Sequence, residues 1–167
     1  MTPAPRHQLE RCATQHRRIL LRIARSFAAD ADRDDLLQEV LVALWHALPG
    51  FEGRAAESTF VYRVALNTAL SFRRGQPRAE TALDALAEPA DTGGEPPELV
   101  ELAQREQAFE QALAALPRID RSIVLMQLDG LAYRDIGEVL GMNESAVGAR
   151  LTRARRRLSL SIERSNA

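Results

Sequence analysis

The sequence is poor in several residue types, and each shortage narrows the possible classes of protein. Its 167 residues include one cysteine, Cys12, so the chain can form neither an internal disulfide nor a metal site with several cysteine ligands. Such cysteine usage is typical of a reducing compartment. No apolar run approaches the roughly 18 residues of a membrane span. The N-terminal stretch "MTPAPRHQLERC" also lacks the apolar core of a signal peptide. We therefore expect a cytoplasmic protein without membrane insertion.

Aromatic residues and lysine are scarce as well. Aromatics make up 5% of the chain, whereas apolar residues make up 46% and are mostly Leu, Ala, Val and Ile. Ala and Leu are strong helix formers, and few segments alternate apolar and polar residues as strands do. All 22 basic residues are arginine, and they nearly balance 23 acidic residues. The composition predicts an all-α protein with a substantial core and almost no net charge.

Three amphipathic helices are predicted in the N-terminal part. Apolar residues recur every three or four positions over 7–28, which indicates the first helix. The second runs from about 34 to 48, opens with acidic residues that suit the helix dipole, and ends at Pro49-Gly50. After the loop "FEGRAAES", Ser58 is a suitable N-cap for a third helix that reaches about residue 74.

The composition changes after residue 74. Residues 75–98 contain seven Gly and Pro residues and six acidic residues, with one arginine. Such a segment cannot bury much apolar surface, so it predicts a flexible acidic linker. The chain is thereby divided into two small helical domains, at 1–74 and 99–167, each of modest stability alone. In the second domain, helices are predicted at about 99–115, 118–128, 133–140 and 144–163.

The last two predicted helices form a helix-turn-helix, because a very short turn containing Gly141 joins them. Four apolar residues at helical spacing predict the buried side of the final helix: Val147, Leu151, Ala154 and Leu158. The opposite side carries Arg150, Arg153, Arg156 and Arg157, with Arg155 on a flank. A helix of this width fits the DNA major groove, where arginine binds phosphates or guanine edges. The alternative is a basic face that is merely solvated.

Three stretches together resemble a known family. "ALPRIDRSIVLMQLDGLAYRDIGEVLGMNESAVGARLTRARRRL" is similar to the promoter −35 binding domain of bacterial sigma factors, most of all to the compact extracytoplasmic-function (ECF) class. "DRDDLLQEVLVALWHAL" resembles the core-polymerase-binding helix of that class, and "FEGRAAESTFVYRVALNTALSFRR" resembles its −10 recognition segment. The resemblance implies a region 2-like domain at 1–74, for polymerase binding and −10 recognition and melting. It also implies a region 4-like helix-turn-helix domain at 99–167, for −35 recognition.

The resemblance implies a role for each matching residue. The polymerase-binding residues are Asp35, Gln38 and Glu39. The −10 residues are Phe51, Arg54, Tyr62, Arg63, Asn67, Arg73 and Arg74. The −35 residues are Ser145, Ala149, Arg150, Arg153, Arg156 and Arg157. Asp35 is equally explained as an acid in a first helical turn, and Tyr62 as a half-buried core aromatic. Leu41 and Trp45 are interpreted as core residues.

The sequence departs from the family pattern at three places. Gly148 and Ala149 stand where the family often has Lys or Arg followed by Ser, and Gly148 weakens its helix by about 1 kcal/mol relative to Ala. We therefore expect an unusual −35 preference, or one that depends on DNA shape and phosphate contacts. Glu52 stands where Arg is common, and Arg54 is a candidate replacement. Phe60 stands where Trp is usual, a conservative change.

Taken together, the residues predict a sigma factor that binds core RNA polymerase and directs promoter-specific initiation. The resemblance implies promoter DNA and an anti-sigma factor as further partners, and a monomer when polymerase-bound. No enzymatic activity, cofactor or metal is expected, and His7, His16 and His46 are interpreted as ordinary residues. One alternative is a stand-alone helix-turn-helix regulator, although such proteins usually dimerise and no dimerisation segment is evident. Another is a protein that binds polymerase or an anti-sigma factor without promoter activity.

Overall fold

The computed structural model describes residues 5–75 and 97–165, with side chains from 6 to 72 and from 97 to 164. Within these ranges it contains eight α-helices and no strand, which confirms the all-α prediction. The helices are α1 (Pro5–Gln15), α2 (Arg17–Phe27), α3 (Arg33–Ala47), α4 (Glu57–Gly75), α5 (Pro97–Ala115), α6 (Arg118–Leu128), α7 (Tyr133–Leu140) and α8 (Glu144–Ser165). Short 3₁₀ turns occupy Asp30–Asp32 and Leu48–Gly50. Most of the predicted acidic linker, residues 76–96, lies outside the described residues.

The first predicted helix is two helices, and α4 begins two residues earlier than predicted. α1 and α2 are separated at His16, whose backbone leaves the helical region (φ −106°, ψ 19°). The His16 ring contacts Glu57 at the start of α4, so a tertiary contact holds this break. Because the Ala56 carbonyl already accepts a hydrogen bond from the Phe60 N–H, Ser58 lies inside α4 and is not its N-cap.

The N-terminal core forms where α2, α3 and α4 pack together, with α1 lying against α3. Leu36, Val40 and Leu44 of α3 meet Phe27 of α2 and Leu66 of α4 in this core. The interpretation of Trp45 as a core residue is wrong, because 40% of its surface is exposed. The reason is that α3 is apolar on almost every side, whereas its neighbours cover only one arc of it. Leu41 is half-buried and packs against the core.

The helix-turn-helix is formed by α7 and α8, which pack on α6, while α5 supports α8. Gly141 ends α7 in the left-handed region (φ +70°), which favours glycine. Asn143 caps α8 by accepting the Ala146 N–H at 2.8 Å. A side chain at Gly137 would force the turn to shift, because a Cβ there would lie 2.3 Å from the Met142 carbonyl oxygen. The predicted apolar stripe is confirmed as buried: Val147, Leu151, Ala154 and Leu158.

The N- and C-terminal helices pack against each other, an arrangement that no pattern in the sequence indicated. α4 lies against α6 and α7, and α2 lies against α5. Arg121 of α6 is buried at this contact, where it donates to the Ser26 carbonyl at 2.6 Å and lies 5.2 Å from the centre of the Phe27 ring. The same guanidinium donates to the Leu113 and Leu116 carbonyls at the end of α5, both at 3.1 Å. Arg121 therefore joins both halves at a single point.

Candidate polymerase and promoter interfaces

The groove between α3 and α4 brings together the three residues that the family resemblance assigns to polymerase binding. Asp35, Gln38 and Glu39 are all exposed and line it from α3. Val42, which is 57% exposed, extends the lining along α3, and Phe72 contributes from α4. An apolar strip beside polar side chains is typical of a surface that docks another protein. The geometry therefore presents these residues on one accessible face.

Tyr62, assigned to −10 recognition, is completely buried between the two halves. Its hydroxyl donates to the Leu125 carbonyl at 3.3 Å and to the Asp129 carboxylate. Arg22 of α2 binds the other oxygen of the same carboxylate. Burial, and next the hydrogen bond to Asp129 and the charge of that carboxylate, raise the pKa of Tyr62, so the phenol stays protonated and can act as the donor. Tyr62 is therefore more deeply buried than the half-buried aromatic that was expected, and its hydroxyl is bonded to the end of α6.

Arg63 and Asn67 follow Tyr62 on α4 and differ in their availability. The Arg63 guanidinium pairs with Glu138 of α7 at 2.7 Å, with both side chains partly exposed. Asn67, one turn further along, is exposed. In this arrangement the C-terminal helices engage two members of the "YRVALN" segment and leave its amide open to solvent.

The loop before α4 holds the remaining described −10 candidates. Phe51 is half-buried, with its ring centroid 4.7 Å from that of Phe60 and the rings inclined by 37°. Arg54 is exposed and pairs with Glu52 at 2.6 Å. The positive charge of Arg54 is thus partly offset by Glu52, which stands where the family commonly has Arg. The side chains of Arg73 and Arg74 lie outside the described residues.

The expected DNA-facing side of α8 is divided in two by Asp120. This buried carboxylate of α6 accepts from Arg150 at 2.8 Å and lies 3.7 Å from the Arg157 guanidinium. Arg150 was expected on the open side with the other arginines. It is instead half-buried on a flank, because its guanidinium pairs with the buried Asp120 carboxylate. The open stripe of α8 consists of the exposed residues Ser145, Ala149, Arg153 and Arg156.

Gly148 lies on the side of α8 that faces α7. A Cβ at this position would make ordinary van der Waals contact with the Tyr133 ring, 3.5 Å from Cε2. The position is half-buried, and the contact with Tyr133 leaves room for at least a methyl group. This departure from the family pattern therefore lies at the contact between α7 and α8.

Sequence reasoning missed one cluster of side chains of the types that bind metal ions. Cys12 and His16 lie four residues apart at the end of α1, and Glu57 opens α4; the ligand atoms of the three lie within 4.8 Å of one another. Burial opposes ionisation of Glu57, but Arg11 and His16 outweigh it and lower the pKa of the carboxyl. The Cys-x₃-His spacing was the available signal, because residues four apart share a helix face. Glu57 is 41 residues beyond His16 and carried no signal of its own.

Both halves of the chain match established family models. The model described as sigma-70 region 2 matches residues 12–79. The model described as sigma-70 region 4 matches residues 106–158. Among the described residues, no helix is both long enough and apolar enough to cross a membrane. The fold and these two matches define a sigma-70-type transcription initiation factor, which is not an enzyme.

Similarity to individual proteins identifies the group of sigma factors to which the chain belongs. The chain is 30% identical over 139 residues to the ECF RNA polymerase sigma-E factor of Escherichia coli K12, covering 77% of this chain and 73% of that protein. It is 31% identical over 142 residues to the sigma-E factor of Haemophilus influenzae, covering 79% and 75%. The chain therefore belongs to the ECF sigma factors, which direct RNA polymerase to promoters.

Solved structures share the fold over nearly the whole chain. CnrH in complex with the cytosolic domain of CnrY matches with a TM-score of 0.65 and 25% identity, over 93% of this chain and 87% of that one. The sigma factor RpoE of Bartonella quintana, in complex with the anti-sigma factor NepR, matches with a TM-score of 0.70 over 92% of this chain and 96% of that one. At 22% identity, the second likeness concerns the fold alone.

Proposed function

We propose that this sigma factor works in the cytoplasm and that the arrangement described above is its closed, resting state. The observation that carries this proposal is the burial of Tyr62 by α6, because a residue that holds an unpaired −10 base must be accessible. Binding to core polymerase separates α4 from α6 and α7 and exposes the −10 surface. The polymerase then supplies the chemistry of RNA synthesis.

Core polymerase docks on the groove between α3 and α4. Asp35, Gln38 and Glu39 provide its polar rim, and Val42 provides exposed apolar area. This groove lies on the opposite side of α3 from the buried residues Leu36 and Val40. The groove is therefore accessible in the closed state, so binding can precede opening.

Promoter DNA is read by two surfaces. In the opened protein, three residues of α4 contact the melted −10 strand. Tyr62 stacks on a base, Arg63 pairs with a phosphate, and the Asn67 side-chain amide hydrogen-bonds a base edge. Phe51 and Arg54 extend this surface from the loop, and Arg73 and Arg74 from the end of α4. On α8, the stripe Ser145, Ala149, Arg153 and Arg156 faces the −35 element, flanked by Arg150 and Arg157.

An anti-sigma factor is the partner proposed for the closed state. CnrH and RpoE, which share this fold, were solved with CnrY and with NepR. A partner that prefers the closed arrangement shifts the population away from the opened, DNA-reading form by its differential affinity. The same chain can thus be stored as an inactive complex until it is released.

Run-off transcription with purified core polymerase tests the proposal. Gln38→Ala combined with Glu39→Ala should weaken core binding while helicity and Tm stay near the wild type, because exposed substitutions rarely cost much stability. The control is Glu101→Ala with Gln104→Ala, an exposed pair of the same types on α5. Equal core affinity in the two double variants would overturn the assignment of the groove. Promoter-specific activity without core polymerase binding would favour a stand-alone regulator.

A further inference from the structure

Three metal-ligating side chains converge where α1 ends and α4 begins. The Cys12 thiol is fully buried, the His16 ring is nearly so, and Glu57 is partly buried. His16 Nε2 lies 3.1 Å from Glu57 Oε1, and the three ligand atoms lie within 4.8 Å of one another. None of the three belongs to the polymerase-binding or DNA-reading surfaces. The functional assignments above therefore leave this cluster unexplained.

We propose that Cys12, His16 and Glu57 bind a Zn²⁺ ion. Thiolate, imidazole and carboxylate are the ligands that Zn²⁺ takes in proteins, at about 2.0–2.3 Å. Small side-chain rotations bring three atoms at the present spacing to such distances around a common centre. With three members in the described part of the chain, the group leaves one tetrahedral position for water. This proposal departs from the expectation, made from the sequence, that the chain has no metal site.

Arg11 supports the site from outside and does not fill it. Its guanidinium holds Glu57 Oε2 at 2.9 Å, whereas Oε1 is the oxygen that faces His16. The weaker contact from Arg11 to Oε1, at 3.3 Å, is the one that the metal replaces. A carboxylate held by one oxygen keeps the other aimed at the metal, as outer-shell partners of metal ligands usually do. The Glu57 and Arg11 side chains are partly exposed and provide the entry path.

Charge and proton balance are both satisfied. Burial, and next the nearby Glu57 charge, raise the pKa of the Cys12 thiol to about 11, so the free thiol is protonated at neutral pH. On binding, the Zn–S bond forms, the S–H bond breaks, and the proton passes to the buffer. The bound ion with its thiolate and carboxylate is then neutral. The ion would fasten the α1–α2 break to the start of α4, the helix that carries the −10 residues.

Titration of the reduced, chelator-treated full chain with Co²⁺ alone tests the site, since Co²⁺ reports thiolate ligation and tetrahedral geometry by its absorption. We expect one ion per chain, a sulfur-to-cobalt charge-transfer band, and loss of that band when Zn²⁺ is added. Zn²⁺ at about a hundredfold excess over its Kd should raise the Tm of the wild type by about 5 °C or more. A chain that binds Co²⁺ without the charge-transfer band would overturn the proposal.

Substitutions identify the ligands. Cys12→Ser should remove the charge-transfer band, and Glu57→Gln, which keeps size and shape, should weaken Co²⁺ binding by about tenfold or more. The control is His7→Ala, which removes an exposed histidine beside Glu10 and should bind Co²⁺ like the wild type. Circular dichroism establishes that each variant is folded. Should Cys12→Ser fail to fold, unchanged Co²⁺ affinity in Glu57→Gln would still contradict the site. Equal weakening in His7→Ala would contradict it as well.

Discussion

The two candidate DNA-reading surfaces differ in whether the protein itself covers them. On α4, Tyr62 is buried under α6, and Arg63 is paired with Glu138. On α8, Ser145, Ala149, Arg153 and Arg156 are open to solvent. Under the proposed function, the −35 surface is accessible to DNA in the closed state, whereas the −10 surface becomes accessible only when the halves separate. The difference shows that a residue's availability depends on its partners in the fold and not on its chemistry alone.

The largest effect is expected from Asp129→Ala, which breaks the contact between the halves. The substitution leaves the Tyr62 hydroxyl and the Arg22 guanidinium without their shared acceptor, a loss of about 2–3 kcal/mol in the closed state. That loss corresponds to roughly a 30- to 150-fold shift toward the open state. We expect the free protein to bind a single-stranded −10 oligonucleotide more tightly. Asp34→Ala, an exposed acid on α3, is the control, and an affinity equal to that of the control would contradict closure by Asp129.

The second-largest effect is expected from a substitution that disturbs the helix-turn-helix, which presents the open stripe of α8. Gly137→Ala places a Cβ against the Met142 carbonyl, so the turn must shift, at a cost of about 1–3 kcal/mol. Both the Tm and the affinity for −35 duplexes should fall, while core binding through α3 is retained. Gly50→Ala serves as the matched control, because nothing lies within 4 Å of a Cβ there. A Gly137→Ala protein with wild-type Tm would mean that the close approach is not required.

A smaller effect should distinguish Arg153, which lies on the open stripe of α8, from Arg150, which pairs with Asp120. Arg153→Ala should leave the Tm unchanged, weaken binding on all −35 sequences alike, and reduce the salt dependence by about one unit of log–log slope. Arg150→Ala should also lower the Tm, by an amount that reflects about 1–3 kcal/mol for the buried Asp120 left without its closest partner. Duplex titrations at several salt concentrations, with thermal melts, measure both. Identical behaviour of the two variants would contradict the distinction.

The smallest effect concerns Gly148. Gly148→Ala should stabilise α8 by about 1 kcal/mol without altering DNA affinity, because the added methyl only touches Tyr133. Gly148→Lys adds a cation at the same position, so its −35 affinity is best compared with that of Gly148→Ala. We expect tighter binding for the lysine variant. Equal affinities would place position 148 inside the helix-turn-helix contact and away from the DNA.

Local pattern was enough to predict much of the fold. The buried stripe of α8 and the glycine-containing turn before it follow from spacing within a few residues. The exposure of Trp45 could not be predicted in this way, because α3 has apolar residues on almost every side and only its neighbours decide which of them are covered. The pairing of Arg150 with Asp120 could not be predicted from local spacing either, since 30 residues separate the two.

Contacts between distant segments could not be predicted for the same physical reason. Tyr62 and Asp129 are 67 residues apart, and no periodic pattern links them. The Cys12 and His16 pair could be read from its spacing, but its third member lies on another helix. Long-range pairs of this kind depend on how completed helices pack, and helix packing is not encoded in any single short stretch.

A distance measurement between α4 and α7 tests the central claim most directly. Spin labels at the exposed positions Ser71 and Arg134, introduced by cysteine substitution while Cys12 stays buried, report the separation of the halves by pulsed electron resonance. For the free protein we predict one short distance, broadened or lengthened by Asp129→Ala. On binding core polymerase in a transcriptionally active complex, the distance should increase. An unchanged short distance in that active complex would contradict the closed resting state.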